Sequence, residues 1–158
     1  MSIDHSPEPN QLIVEAFTVA TQTAFEELAQ TPVIPGVALF GDPVNHPDDV
    51  VAEIQLKRSL RGRLLIAFQR SALTTIATRY LPAGESLTEA IENDVAGEFA
   101  NVIAGQAKTI LKGTPFHFSI STPRVGDWNL MKGDDANWLK IPFDVDSGSL
   151  SLFLILPP

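Results

Sequence analysis

The first strongly patterned segment of the chain, residues 12–29, repeats apolar side chains every three or four positions. Those side chains are Ile13, Phe17, Ala20, Ala24 and Leu28. This spacing places them on one face of an α-helix, so the pattern predicts a long amphipathic helix. The breakers Pro32, Pro35 and Gly36 follow and end it.

Extended patterns follow this helix. Residues 33–40, 50–57 and 63–68 are predicted strands. The last two flank residues 59–62, Ser-Leu-Arg-Gly, which are typical of a hairpin turn. A short helix is predicted over residues 71–80, ahead of a Pro-Ala-Gly breaker.

The same order of elements then recurs. A second long helix is predicted to begin at Ser86, with Glu89 at the spacing of a capping box. It ends near Leu111, where a lysine followed by a glycine is typical of a helix C-terminus. Further strands are predicted at residues 116–120, 138–145 and 150–156, and an Asp-Ser-Gly turn joins the last two.

These elements form a helix–strand–strand–strand unit twice. Gly62 and Gly148 lie 86 residues apart, and the alternating apolar residues after them match at that offset. We therefore predict an α+β fold, a duplicated helix–three-strand unit with two long helices packed on a largely antiparallel sheet. The predicted parts are a flexible N-terminus, residues 1–10, and a single domain, residues 11–158, built from pseudo-repeats at about 11–80 and 86–158.

The last predicted strand is apolar at consecutive positions. Leu150, Leu152, Leu154 and Leu156 share one face, and Phe153 and Ile155 share the other. A strand of this kind is normally covered on both faces. Two arrangements follow: a central strand of the monomer, or an edge strand that pairs with a second chain and forms a homodimer.

Composition narrows the classes of function. The 158 residues include 11 basic and 19 acidic side chains, a net charge of −8, which argues against nucleic-acid binding. The chain has no cysteine, and its three histidines lack ligand spacing, so we expect no metal site. The N-terminus has no signal-peptide pattern, and the longest apolar run is far shorter than the about 20 residues of a membrane span. We expect a cytoplasmic protein without membrane association.

The second long helix carries a polar stripe. At about 100° per residue, one side of this helix collects two carboxylates, an amide, a glycine and an ammonium group. These residues are Asp94, Glu98, Asn101, Gly105 and Lys108. Phe99, Ile103 and Ile110 lie roughly opposite and are predicted to face the core. From spacing, the stripe is either a solvated helix face or a functional surface, with Gly105 leaving room for an approaching group.

Two other groups of polar residues are candidates for chemistry. Lys57, Arg58, Arg61 and Arg63 surround the first hairpin turn. They are interpreted as solvated, with contact to an acidic partner as the alternative. His117 and Ser119 alternate on a predicted strand without an aspartate to orient the histidine, so they are interpreted as surface or packing residues.

The polar stripe has a recognisable order. The string Asp94-x-x-x-Glu98-x-x-Asn101, followed by Val-Ile-Ala-Gly105-Gln-Ala-Lys108, resembles the signature helix of the CheC/CheX chemotaxis phosphatases. That signature has an acidic or serine residue, then glutamate, then asparagine, then a stretch of small residues with a glycine. The resemblance implies a CheC-like form of the predicted fold.

The resemblance extends beyond the helix. Residues 119–125 are similar to the extended segment of that family, which ends near a proline. CheC-type chains carry the motif twice and CheX-type chains once. Only one Glu-x-x-Asn occurs here, and the first helix offers Glu15-x-x-Thr18 instead. This implies the CheX-like single-motif subgroup, whose members typically pair as homodimers.

The activity implied by the resemblance is removal of the phosphoryl group from the aspartate of a CheY-like response regulator, in chemotaxis or related two-component signalling. No cofactor of the protein's own is implied, since Mg²⁺ and the phosphoaspartate belong to the regulator. Asn101 would orient the attacking water, and Glu98 would pair with a lysine of the regulator. Asp94, Gly105 and Lys108 would contact this partner.

The alternative function is a binding module of the same fold that holds a regulator without hydrolysing it. Docking would not require a neutral amide that both donates and accepts hydrogen bonds. The presence of both Glu98 and Asn101 therefore favours the enzyme.

Overall fold

The structure, a computed structural model, describes residues 10–41, 48–131 and 137–156. The predicted flexible N-terminus lies outside this range except for its last residue. Three α-helices are described, α1 (Gln11–Ala29), α2 (Arg70–Tyr80) and α3 (Glu89–Leu111). The strands are β1 (Ile34–Pro35), β2 (Leu39–Phe40), β3 (Val50–Arg58), β4 (Gly62–Phe68), β5 (Phe118–Ile120), β6 (Arg124–Gly126), β7 (Asn137–Val145) and β8 (Gly148–Leu156).

The two long helices begin at residues whose side chains cap them. The Asn10 side chain accepts hydrogen bonds from the amides of Leu12 and Ile13, at 3.0 and 3.3 Å. For α3 the predicted start at Ser86 is wrong. The Thr88 hydroxyl accepts from the Ile91 amide at 3.2 Å, so the helix begins two residues later than a cap at Ser86 would allow.

The strands form one antiparallel sheet in the order β1-β7-β8-β4-β3-β5. At one edge, β5 and β6 pair in turn with β3, and at the other edge β1 and β2 pair in turn with β7. The predicted strand over residues 33–40 is thus two short strands, and β6 is a strand that the sequence pattern does not predict. The α+β fold with helices on a largely antiparallel sheet is confirmed.

The last strand is central. β8 lies between β7 and β4, and Leu152 pairs with Ile141 on one side and Ile66 on the other. The edge-strand arrangement is therefore wrong, and the central one is correct. Consecutive residues of β8 are apolar because both faces of the sheet are covered, and no free backbone edge remains there for a second chain.

The helices cover one face of the sheet. Alternate residues of β3 point to them and join the main core, together with the buried side of α3. Phe99 and Ile103 are fully buried as predicted, whereas Ile110 is 41% exposed. The reason is that the buried face in the last turn of α3 consists of Ala107 and Leu111, which leaves Ile110 at its margin.

The opposite face of the sheet has its own apolar cluster. In the described part of the chain, the 3₁₀ turn Trp128–Met131, which follows β6, packs against it. The buried members of this cluster are Val51, Leu65, Ala67, Met131, Trp138, Phe153 and Ile155. Within the described ranges, no helix has the length and apolar character that a membrane span requires.

A buried carboxylate lies beside this second cluster. Glu53 on β3 is 3% exposed and forms ion pairs with Arg63 of β4 at 2.5 Å and Arg124 of β6 at 2.7 Å. Arg63 also donates to the Leu130 carbonyl. The interpretation of Arg63 as solvated is therefore wrong. Its guanidinium group pairs with the carboxylate of Glu53, which burial has removed from water. This network ties β6 to the centre of the sheet.

We expect Glu53→Ala to lower the free energy of unfolding by about 3 kcal/mol, because Arg63 is then left half-buried without a counter-charge. The matched control is Gln55→Ala, an exposed position on the same strand, for which we expect a change below about 0.5 kcal/mol. Urea unfolding followed by circular dichroism measures both. Equal stabilities for the two variants would contradict a structural role for the network.

Candidate functional site

The polar stripe of α3 faces outward. Asp94, Glu98, Asn101 and Lys108 are exposed, and Gly105 is half-buried. The side chains on the opposite side of the helix fix its position. The Phe99 ring packs edge-on against Phe25 and Tyr80, with ring centroids 5.0 and 5.5 Å away. The stripe therefore stands on a rigid element.

An open groove runs between α3 and the chain segment that follows β5. It has a volume of about 810 Å³. Asp94, Glu98 and Asn101 line its helix side, so three of the five predicted site residues come together here. The helix side also includes Asn93 and Gly97, and the facing wall is formed by Ile120, Ser121, Thr122, Pro123 and Val125.

The wall of the groove is an interruption in the edge strand. β5 ends at Ile120 and β6 begins at Arg124, with Pro123 between them. Proline has no N–H to donate to β3, so the ladder breaks there. Just before the break, the Ser121 hydroxyl accepts from the Gln55 amide at 2.9 Å. After it, Arg124 is held by Glu53. Both ends of the wall are thus fixed to β3.

Gly97 lets the helix approach this wall, and sequence reasoning missed it. A Cβ at this position would lie 3.2 Å from Val125 Cγ2 and 3.9 Å from Pro123 Cγ. A larger side chain would push α3 away from β6 and change the width of the groove. The available signal was a second glycine in the stripe-bearing helix, directly before Glu98.

The remaining two predicted residues lie further along the helix. Gly105 and Lys108 line an adjoining groove, which shares Ile120 with the first. A Cβ built at Gly105 would meet no heavy atom within 4 Å. The space above Gly105 is therefore open.

His117 lies just before β5, so it does not alternate with Ser119 on a strand as predicted. Its side chain is exposed, and Nε2 lies 2.8 Å from the Ser59 hydroxyl at the hairpin turn. Across the described residues, no three acidic or histidine side chains gather where they could hold a metal ion. The chemistry that the groove presents is the carboxamides of Asn93 and Asn101 beside the carboxylates of Asp94 and Glu98.

The chain matches the family model of the chemotaxis phosphatase CheX over residues 50–143. Because this match covers more than half of the chain, the protein belongs to the CheX chemotaxis phosphatase family. The matched region contains α3 and both strands of the groove wall.

Solved structures agree on the fold. CheX from Desulfovibrio desulfuricans is 22% identical with a TM-score of 0.80, over 91% of this chain and 98% of that one. A CheC-like superfamily protein from Shewanella sp. PV-4 is 21% identical with a TM-score of 0.79, over 95% and 100%. The CheX–CheY–BeF₃–Mg²⁺ complex from Borrelia burgdorferi contains a chain 17% identical with a TM-score of 0.73, over 92% and 98%. No functionally curated protein matches the sequence.

We expect Gly105→Ala to raise the free energy of unfolding by up to about 1 kcal/mol, because alanine is the better helix former and its methyl group meets nothing. Gly97→Ala is the matched control, since the same gain in helix propensity is opposed there by the contact with Val125. Urea unfolding measures both variants. A Gly105→Ala protein less stable than Gly97→Ala would contradict the open space above Gly105.

Proposed function

We propose that the protein hydrolyses the aspartyl phosphate of a CheY-like response regulator. The observation that carries the proposal is the placement of Glu98 and Asn101. Both are exposed on one face of a helix whose other side is buried in the core, and both line one open groove. The groove admits a partner's surface to both side chains together.

In the proposed reaction, water attacks phosphorus in line with the bond to the aspartate oxygen, that bond breaks, and the aspartate carboxylate and inorganic phosphate are released. The Asn101 carboxamide both accepts a hydrogen bond from the water and donates one, which fixes its direction of attack. The phosphoaspartate and Mg²⁺ come from the regulator. The contribution of this chain is alignment of the water.

Glu98 has a docking role in the proposal. It lies one helical turn before Asn101, so a carboxylate and the amide enter the partner's site side by side. A lysine of the regulator would bind Glu98 through a charge-assisted hydrogen bond and set the register of the two proteins. Asp94, one turn earlier on the same face, adds a second negative charge at the end of the groove.

The rigid support of α3 suits catalysis by alignment. Besides the packing of Phe99, Glu92 in the first turn accepts a hydrogen bond from the Thr74 hydroxyl of α2 at 2.5 Å. An amide that aligns water must hold its position, because a misplacement of about 1 Å can cost about a hundredfold in rate. Helix, wall and neighbouring helix together restrict that movement.

The homodimer stays a prediction of the resemblance. Because β8 is central, its interface is not the backbone edge of that strand. In the proposed function the Asp94–Lys108 face of α3 stays free to meet a regulator.

We expect Asn101→Ala to lower the rate of phosphate release by a hundredfold to a thousandfold, since a lost positioning group typically costs about 2.7–4 kcal/mol of barrier. The matched control is Gln106→Ala, an amide on the same helix but off the stripe, which should retain the wild-type rate. Single-turnover dephosphorylation of purified phospho-regulators measures both. If Asn101→Ala keeps more than about half of the rate, its catalytic role is wrong. If wild-type protein binds the regulator without speeding phosphate release, the protein is a binding module.

We expect Glu98→Gln to weaken docking and Glu98→Lys to prevent it, because the second change places like charges opposite each other. Calorimetric titration with a receiver domain carrying beryllofluoride and Mg²⁺ measures the dissociation constant. Glu85→Lys, an exposed position in the turn before α3, controls for the change in net charge. Indistinguishable dissociation constants for wild type and both Glu98 variants would rule out the lysine contact.

A further inference from the structure

A second groove of opposite charge adjoins the groove lined by Asp94, Glu98 and Asn101, which is called here the site groove. This second groove, called here the basic groove, has a volume of about 790 Å³. It follows the last turns of α3 and shares Ile120 with the site groove. Its cationic or potentially cationic lining residues are Arg58, Lys108, Lys112 and His117. Among the residues that the structure describes, no acidic one lines it.

These cations come from separate parts of the fold. Lys108 and Lys112 lie at the C-terminal end of α3, where a positive charge is favoured by about 0.3–1 kcal/mol because of the helix dipole. That explanation does not extend to Arg58, which is the last residue of β3 and pairs with Phe118 of β5. Arg58 also has a φ of 91°, a conformation that costs energy in a residue with a side chain. Two structural elements, α3 and β3, thus converge on one basic surface.

Within the described part of the chain, these positive charges have no acidic partner. Over the described residues, no ion pair joins Arg58, Lys108 or Lys112 to an acidic side chain. All three are exposed. The protein as a whole carries a net charge of −8, so this surface is a local reversal of its overall charge. An uncompensated basic groove beside a binding site attracts an acidic partner surface.

We propose that the basic groove binds an acidic surface of the same response regulator whose phosphoaspartate meets Asn101, and so selects the regulator. This inference rests on the proposed function. The occupant is the same partner because the two grooves adjoin at Ile120 and lie along one helix. At about 1.5 Å per residue, Lys108 and Lys112 lie about 10 and 16 Å along α3 from Asn101. The preferred regulator therefore carries acidic side chains about 10–16 Å from its phosphorylated aspartate.

The test compares Lys112→Glu with Lys57→Glu. Both change the net charge equally, but Lys57 belongs to the alternate residues of β3 that face away from the helices and does not line the basic groove. Receiver domains of CheY type from the same organism, loaded with beryllofluoride and Mg²⁺, are titrated by calorimetry. We expect Lys112→Glu to raise the dissociation constant about tenfold and Lys57→Glu less than about twofold. Raising salt from about 0.05 to 0.5 M should weaken wild-type binding more than Lys112→Glu binding.

A charge exchange identifies the contact. Changing an acidic residue of the receiver, at the stated distance from its phosphorylated aspartate, to lysine should weaken wild-type binding and restore binding of Lys112→Glu. Equal dissociation constants for Lys112→Glu and Lys57→Glu would overturn the inference while leaving the phosphatase proposal intact if Asn101→Ala is inactive. A wild-type protein that binds but does not hydrolyse would overturn the phosphatase proposal, and the two lysine variants would still decide the docking. Binding to no receiver would overturn both.

Discussion

The close packing of α3 against β6 at Gly97 is the constraint on which the site depends. A Cβ at this position would lie 3.2 Å from Val125 Cγ2 and 3.9 Å from Pro123 Cγ, so glycine keeps this space free of a side chain. The two sides of the groove therefore have a separation set by backbone and core atoms rather than by flexible polar side chains. On the opposite side of the same helix, Phe99 and Ile103 are buried in the core. Exposed functional groups can be precisely placed only when the supporting side is packed in this way.

The opposite face of the sheet also contributes to the site. Glu53 is buried on the face away from the helices, yet its partner Arg124 is the first residue of β6. A charge network on one face thus holds the strand that forms the groove wall on the other. The cost of burying Glu53 is offset by two guanidinium groups, one of which also satisfies the Leu130 carbonyl. Because the edge strand is interrupted at Pro123, it lacks the continuous ladder that would otherwise hold it.

Periodicity predicted most of the fold because the helices and central strands obey it. The long helices, the two hairpins and the outward face of Asp94, Glu98 and Asn101 all follow from spacing. The features that spacing could not predict depend on contacts between segments that are far apart in the sequence. The edge strand β6 is three residues long, too short to show a period. The role of Gly97 depends on its closeness to Val125, which lies 28 residues later in the sequence. Arg63 looked solvated because its partner Glu53 reads as an ordinary surface residue until β3 and β4 are placed side by side. The N-cap of α3 is Thr88 rather than Ser86 because it depends on the local backbone conformation, which the capping-box motif does not determine.

The arrangement of charge along α3 follows from what an alignment catalyst needs. In the proposed reaction the protein supplies no nucleophile and no metal, so its rate advantage depends on holding one amide against another protein's phosphoryl group. Alignment between two proteins requires more than one contact, since a single contact leaves rotation about that point. In this proposal the carboxylates of Asp94 and Glu98 and the ammonium groups of Lys108 and Lys112 give two contacts of opposite sign, separated by several helical turns. A regulator bearing the complementary order of charges can then dock in one direction only. Between the two charged ends of the helix face, the open space at Gly105 lets the surface of the regulator approach the helix backbone.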